Sequence, residues 1–251
     1  MKFGRLENVE GIDLRLPKDH AANALVLKGK RKAHPEIYIG FPIWSHPKWV
    51  GTIYPPKTKA KDFLALYAQQ YNAIELNATH YNTPKISQVE AWKSVVPEGF
   101  KFCPKVPQFI SHAKDLASMK PGFNAFVDAV IHFDQHLGCT FFLLSPAFKP
   151  NKLDSLIQLL DTLPHNFEIA IELRHEEWFA QPAASDELAN YLASKKMTLV
   201  ITDVSGRRDV LHQRLTSTTA FIRFTGNDLH PSDFKRLDDW VKKITSWLDD
   251  G

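Results

Sequence analysis

The stretch EIAIELRHEEWFAQPAASDELANYLASKKMTLVITD, residues 168–203, decides the fold. It opens on a β-rich apolar run, 168–174. It then passes through a segment whose apolar residues Leu188, Tyr191 and Leu192 recur at three and four, and it closes on a second β-rich run, 198–203. These two periods predict strand, helix, strand. Two strands joined by a helical crossover run parallel, with the helix laid over the sheet. Both runs end in charge, Glu172 and Arg174 in the first and Asp203 in the second.

The same unit recurs on either side. Further β-rich runs lie at 37–41, 73–77, 101–105, 140–145 and 220–225, and stripes at helical spacing lie between them, among them Phe63, Leu66 and Tyr67, then Phe123, Phe126, Val127 and Val130. After the last run come Phe234, Leu237, Val241, Ile244 and Leu248. Two architectures fit this alternation, an open doubly wound sheet and a closed barrel. No GxGxxG or GxxxxGK[ST] follows any run, so a nucleotide-binding open sheet lacks its main support. Polar residues instead gather at the C-terminal end of run after run: Glu75 and Asn77, Lys105, Ser145, Glu172 and Arg174, Asp203, Arg223. In (β/α) barrels that end carries the chemistry. The expected fold is therefore α/β, a TIM-type (β/α) barrel over residues 36–251, preceded by an N-terminal extension over 1–35. The basic run at 28–32 reads as a solvated linker, with phosphate contact as the alternative.

Composition narrows the class. With 251 residues, 44% hydrophobic and 24% charged, the chain is globular rather than fibrous or disordered. Its 31 Lys+Arg against 28 Asp+Glu give +3, well short of a dedicated nucleic-acid binder. Cys103 and Cys139 sit in apolar runs and read as reduced core thiols. No signal-peptide core opens the sequence, and no apolar run approaches the ~18 residues of a membrane span. The expectation is a soluble cytoplasmic protein without membrane contact.

Alternation gives the charged residues a direction. Glu75 and Asn77 share parity, as do Glu172 and Arg174, so each pair points to one side of its strand. If Ile74, Leu76, Ile171 and Leu173 pack beneath the helices, the polar pairs face the mouth of the barrel. A charge there must be paired or functional, because unpaired burial is costly. A structural ion-pair layer such as Glu75–Arg223 or Glu172–Lys105 is the bland alternative.

The functional reading assigns acid–base roles to Glu172, Glu75, His112 and His175. Lys105, Arg174 and Arg223 are to hold an anionic substrate, arginine through bidentate geometry. Asn77, Asp203 and Tyr81 complete the substrate set, with Trp44 and Trp178 offering stacking faces that could equally be loop packing. Cys103 shares parity with Lys105, which would lower its thiol pKa, although a core role is the commoner one. Glu172, His175, Asp203, Glu75, His80 and His112 are metal-ligand types, but no HExxH or paired-histidine spacing occurs and the nearby cations oppose a metal, so neither metal nor cofactor is expected.

These motifs, taken in order, carry a family resemblance. IGFPIWSHPKWVGTIYPP at 39–56, IELNATHYNTP at 74–84, FKFCPKVPQFISH at 100–112, IELRHEEWF at 171–179, ITD ending at Asp203 and FIRFTG at 221–226 resemble the YecE-like family, domain of unknown function 72. The resemblance implies a TIM-type barrel and brings no established reaction. Ile43, His80 and Leu143 depart from the family pattern. The family's Asn-rich final strand has no counterpart, so the chain reads as a barrel lacking its eighth strand and shortened at the C-terminus. Three functions remain open: an enzyme acting on a phosphorylated or carboxylated sugar-like molecule, a nucleic-acid-binding or phosphodiester-processing protein, and a non-catalytic binding protein.

Overall fold

The computed structural model describes residues 4, 6, 8–29, 31, 33–180 and 182–251. The strands among them are β1 (Ala73–Leu76), β2 (Lys101–Pro104), β3 (Thr140–Leu143), β4 (Ile169–Glu172), β5 (Thr198–Leu199), β6 (Ile201–Val204) and β7 (Ile222–Thr225). The longer helices are α1 (Phe63–Gln70), α2 (Ile86–Lys93), α3 (Lys120–Val130), α4 (Leu153–Leu160), α5 (Pro182–Ser194) and α6 (Pro231–Asp250). Strand–helix alternation is therefore as the sequence periods predict.

Among the described residues the expected closed TIM-type (β/α) barrel does not form. The strands fall into separate parallel sheets of two, three and two strands. The reasons are local. Pro104 lies between Phe102 and Val106, whose backbones bond the chain on the β3 side, and has no N–H to add there. Val200 breaks the run at 198–203 into two strands: its N–H goes to the Ile171 carbonyl at 2.9 Å, while its own carbonyl is taken by the His212 imidazole at 3.1 Å. The expected first strand at 37–41 makes no regular ladder: Glu75 N–H of β1 donates to the Phe41 carbonyl at 3.2 Å, and side chains take other backbone groups of the segment. Ile39 N–H donates to Asn72 Oδ1 at 2.7 Å and Asn72 Nδ2 donates to the Ile37 carbonyl at 2.8 Å. Phe41 N–H donates to the Tyr67 hydroxyl at 2.7 Å, which in turn donates to the Ala73 carbonyl at 2.8 Å. Burial pushes the Tyr67 phenol above its usual range and keeps that donor protonated. Gly40 lets this segment lie so close, for a Cβ there would stand 2.0 Å from the Ala73 carbonyl oxygen.

The chain divides into two compact units. The central unit comprises Ile37–Ser145 and Asn151–Ile169. In it β1 and β2 pair in parallel, Glu75 opposite Cys103, and Lys105 bridges to Phe141 of β3. Its core is aromatic, with Phe100, Phe102, Phe123, Phe126, Phe133, Phe141 and Phe142 all buried.

The terminal unit comprises the described residues of Met1–Glu36 together with Pro146–Pro150 and Ala170–Gly251. Here β4 pairs with β5, and β6 with β7, both in parallel. The N-terminal stretch is fastened to this unit by its own polar groups. Buried Asn23 donates to the Gln213 carbonyl at 2.9 Å and accepts from Leu215 N–H at 2.8 Å. Asp19 accepts from Lys243 and from the Trp247 indole, and Arg31 pairs with Asp249 at 2.7 Å. Lys30 and Lys32 of the basic run lie outside the described residues.

Helix α6 turns a different face inward from the one its aliphatic stripe suggests. Phe234, Leu237 and Val241 are 56%, 44% and 64% exposed, whereas Asp233, Arg236, Trp240 and Trp247 are buried. Positions 233, 240 and 247 repeat every seven residues and so share one face. On that face the two tryptophans pack with Ile201, Leu211 and Leu215. No helix among the described residues is long and apolar enough to cross a membrane.

Candidate functional site

β4 delivers Glu172 at its last position, fully buried. Its two oxygens meet two guanidiniums: Arg174 Nε donates to Oε1 at 3.1 Å and Arg223 Nη1 donates to Oε2 at 2.7 Å. Arg174 follows Glu172 at the spacing that returns a side chain to the same side, and Arg223 comes from the second position of β7. Both arginine side chains keep a solvent-facing portion, 18% and 22%, while the glutamate keeps 1%. Both oxygens of the buried carboxylate are thus engaged by guanidiniums that remain partly open to solvent. Behind Arg174, its backbone carbonyl accepts from Arg207, which Asp209 holds at 2.7 Å and 2.8 Å.

His175 and Trp178 follow at once in the chain. The backbone N–H of Glu177 donates to His175 Nδ1 at 3.2 Å, so the neutral imidazole carries its proton on Nε2. Lys149 beside Glu177 holds that carboxyl below its usual range. Trp178 is fully buried: its indole N–H donates to the Phe148 carbonyl at 2.8 Å and its ring stacks on Phe148. Its face is spent on packing and is closed to a ligand.

Asp203 faces the other way. β6 and β7 register Thr202 with Arg223 and Asp203 with Phe224. Partners in a parallel ladder share a face, so Thr202 lies with Arg223 and Asp203 lies beneath α6. There Asp203 is fully buried and accepts from Arg208, from Arg236 Nη2 at 2.7 Å and from the Trp240 indole at 2.7 Å. Arg236 also pairs with Asp233 at 3.1 Å and lies 4.3 Å from the Phe224 ring centre. Arg208 continues to the carbonyls of Leu14 and Arg15 at 3.1 Å each, so this carboxylate ties together a strand, α6 and the N-terminal stretch. Three internal donors leave Asp203 a fastening role in place of the substrate contact expected of it. His212 belongs to the same framework. Burial pushes its imidazole down to about 4 against the opposing pull of the Val200 carbonyl, which keeps it neutral.

The remaining expected residues belong to the central unit. Asn77 donates to the Pro42 carbonyl at 3.0 Å. Lys105 is 8% exposed, with its ammonium 5.4 Å from the Phe141 ring centre and its backbone held on both sides by the Thr79 hydroxyl at 2.8 Å. His112 Nδ1 lies 2.9 Å from the Ser111 hydroxyl, and its ring is 5.9 Å from that of His80. Tyr81 is 72% exposed, and Trp44 packs edge-on to Trp92. Burial, and after it the charge of Glu75 standing opposite, pushes the Cys103 thiol up to about 12. The lowered thiol pKa expected from Lys105 does not occur, so Cys103 is a packing residue. Among the described residues no group of three or more His, Cys, Asp or Glu could hold a metal ion.

Comparison with known proteins places this geometry among relatives. The family described as "Protein of unknown function DUF72" matches residues 38–251. The UPF0759 protein YecE of Escherichia coli (strain K12) is 30% identical over 229 residues, covering 84% of this chain and 82% of YecE. The UPF0759 protein YunF of Bacillus subtilis (strain 168) is 28% identical over 155 residues, 58% of this chain and 53% of YunF. Among solved structures, a DUF72 family protein from Enterococcus faecalis V583 superposes with a TM-score of 0.64 at 20% identity, covering 88% of each chain. One from Thermotoga maritima MSB8 superposes with a TM-score of 0.63 at 23% identity, covering 84% of this chain and 88% of that one. At these identities the superpositions speak for the fold alone.

Proposed function

The chain belongs to the DUF72 family, the YecE-like proteins of unknown function, and from that premise we propose an enzyme that binds a small phosphorylated or carboxylated, sugar-like substrate through Arg174 and Arg223. The observation that carries this reading is the fully buried Glu172 carboxylate, which meets two arginines that both retain solvent-facing surface. A purely structural triad gains little from such an arrangement, since apolar side chains of similar volume stabilise a core as well or better. As a device for aiming two guanidiniums it makes physical sense. Arginine loses less entropy when its plane is already fixed, and a paired fork suits carboxylate or phosphate oxygens.

In this reading Glu172 orients the two cations, because both of its oxygens already accept from them. His175, whose Nδ1 accepts from the Glu177 N–H, offers its neutral Nε2–H as a hydrogen-bond donor that polarises a substrate oxygen. The two guanidiniums attract the anion, and low salt strengthens the attraction.

Binding of a panel of sugar phosphates and sugar acids, read by calorimetry, tests the proposal. Arg223→Met keeps an unbranched stem and removes the charged guanidinium. It should weaken binding of any ligand found by at least tenfold, matching the loss of a charge-assisted pair worth about 1.5–3 kcal/mol. Equal binding by wild type and Arg223→Met would remove this site from the function.

A further inference from the structure

A hydroxyl on the strand next to Arg223 remains without a role in that reading. Thr202 is 4% exposed, and its Oγ1 is buried with no hydrogen-bond partner among the described residues. It is the ladder partner of Arg223, so its side chain rises from the adjacent strand, about 4.8 Å away, on the face where Arg223 reaches Glu172. Buried hydroxyls are nearly always paired, because leaving one unmade costs the full desolvation of the group. Valine has the same shape and suits a strand at least as well. A threonine with an unmade bond at the edge of a cationic cluster therefore marks a place where a ligand supplies the acceptor.

We propose that Thr202 is a specificity-determining residue of this site, its hydroxyl donating to a third oxygen of a phosphoryl group held by Arg174 and Arg223. This rests on the anion-binding reading above and narrows it. A carboxylate has two oxygens, which two guanidiniums satisfy; a third donor, on a third strand, calls for a third oxygen. Donors arrive from the end of β4, from β6 and from β7, and three directions suit a tetrahedral group better than a planar one. The site thereby selects a phosphorylated substrate over a carboxylated one.

The test compares wild type, Arg223→Met and Thr202→Val in calorimetric titrations with inorganic phosphate and with acetate, alongside thermal melts of the ligand-free proteins. Thr202→Val should weaken phosphate binding about tenfold or more, leave the much weaker acetate binding unchanged, and raise the melting temperature, because it deletes an unsatisfied buried hydroxyl. A hydroxyl with a merely structural role would give the opposite melt, a fall on substitution. If wild type binds phosphate, Arg223→Met loses it and Thr202→Val binds as wild type does, the role of Thr202 is overturned while the site stands. If wild type binds no phosphate, or Arg223→Met binds it equally well, the anion site itself falls and the role of Thr202 with it.

Discussion

Replacing Glu172 by alanine should lower the free energy of unfolding by about 3–5 kcal/mol, the range for removing one partner of a buried ion pair. The substitution does more than delete two hydrogen bonds. It removes the carboxylate that the Arg174 and Arg223 guanidiniums share, while each stays mostly removed from water. Lost pairing and lost hydration then act together. Two companion measurements separate this explanation from simple loss of packing. The triple variant Glu172→Met, Arg174→Met, Arg223→Met should recover most of the lost stability, because apolar side chains of similar volume need no pairing. Phosphate or formate in the buffer should raise the melting temperature of Glu172→Ala more than that of wild type, since an added anion can stand in for the missing carboxylate. A triple variant as unstable as Glu172→Ala would point to shape rather than charge.

Asp203→Ala should produce a loss of similar size, about 3–5 kcal/mol, with a different signature. Here the carboxylate faces α6 and serves three donors from three parts of the terminal unit. Removing it leaves Arg236 to Asp233 and to the Thr225 carbonyl, and leaves Arg208 to the carbonyls of Leu14 and Arg15. Hydrogen exchange should therefore accelerate both in α6 and in the N-terminal stretch around residues 14–27. In Glu172→Ala those segments should keep their relative protection. Trp240 supplies a second readout. Its indole N–H loses its acceptor, so its fluorescence should change in Asp203→Ala before any unfolding. Anion binding should survive in the folded fraction, because Asp203 lies on the face away from Arg223. If phosphate affinity fell as far as stability did, the separation of the two carboxylates into one that aims and one that fastens would be wrong.

The two carboxylates also mark how far the sequence could be read. Glu172 and Arg174 are two apart at the end of an apolar run, which is enough to place them on one side of a strand. The run Ile201–Val204 gives no such guide, since apolar residues flank both Thr202 and Asp203 and either could face inward. Charge favoured Asp203, but only the register with β7 shows that Thr202 accompanies Arg223. The complement of Asp203 was hidden for a related reason. The aliphatic stripe of α6 points to Phe234, Leu237 and Val241, while the face that packs is built on Trp240 and Trp247 and includes Arg236, buried where it pairs with Asp203 and Asp233. Alternation of strands and helices was legible from period alone. Sheet closure was not: it depended on side chains such as Asn72 and Tyr67 taking hydrogen bonds that a neighbouring strand would otherwise have made, and no period reports that.

The account stands on Arg174 and Arg223 being aimed at an anion rather than only at Glu172. The most direct measurement follows their side-chain Nε–H signals by nuclear magnetic resonance while inorganic phosphate is added to the wild-type protein at low salt. Signals from both arginines should move together along one saturable curve, with those of Arg236 and Arg208 unmoved. Arginine signals at 174 and 223 that stay still up to saturating phosphate, or that shift no more than those bound to Asp203, would contradict it.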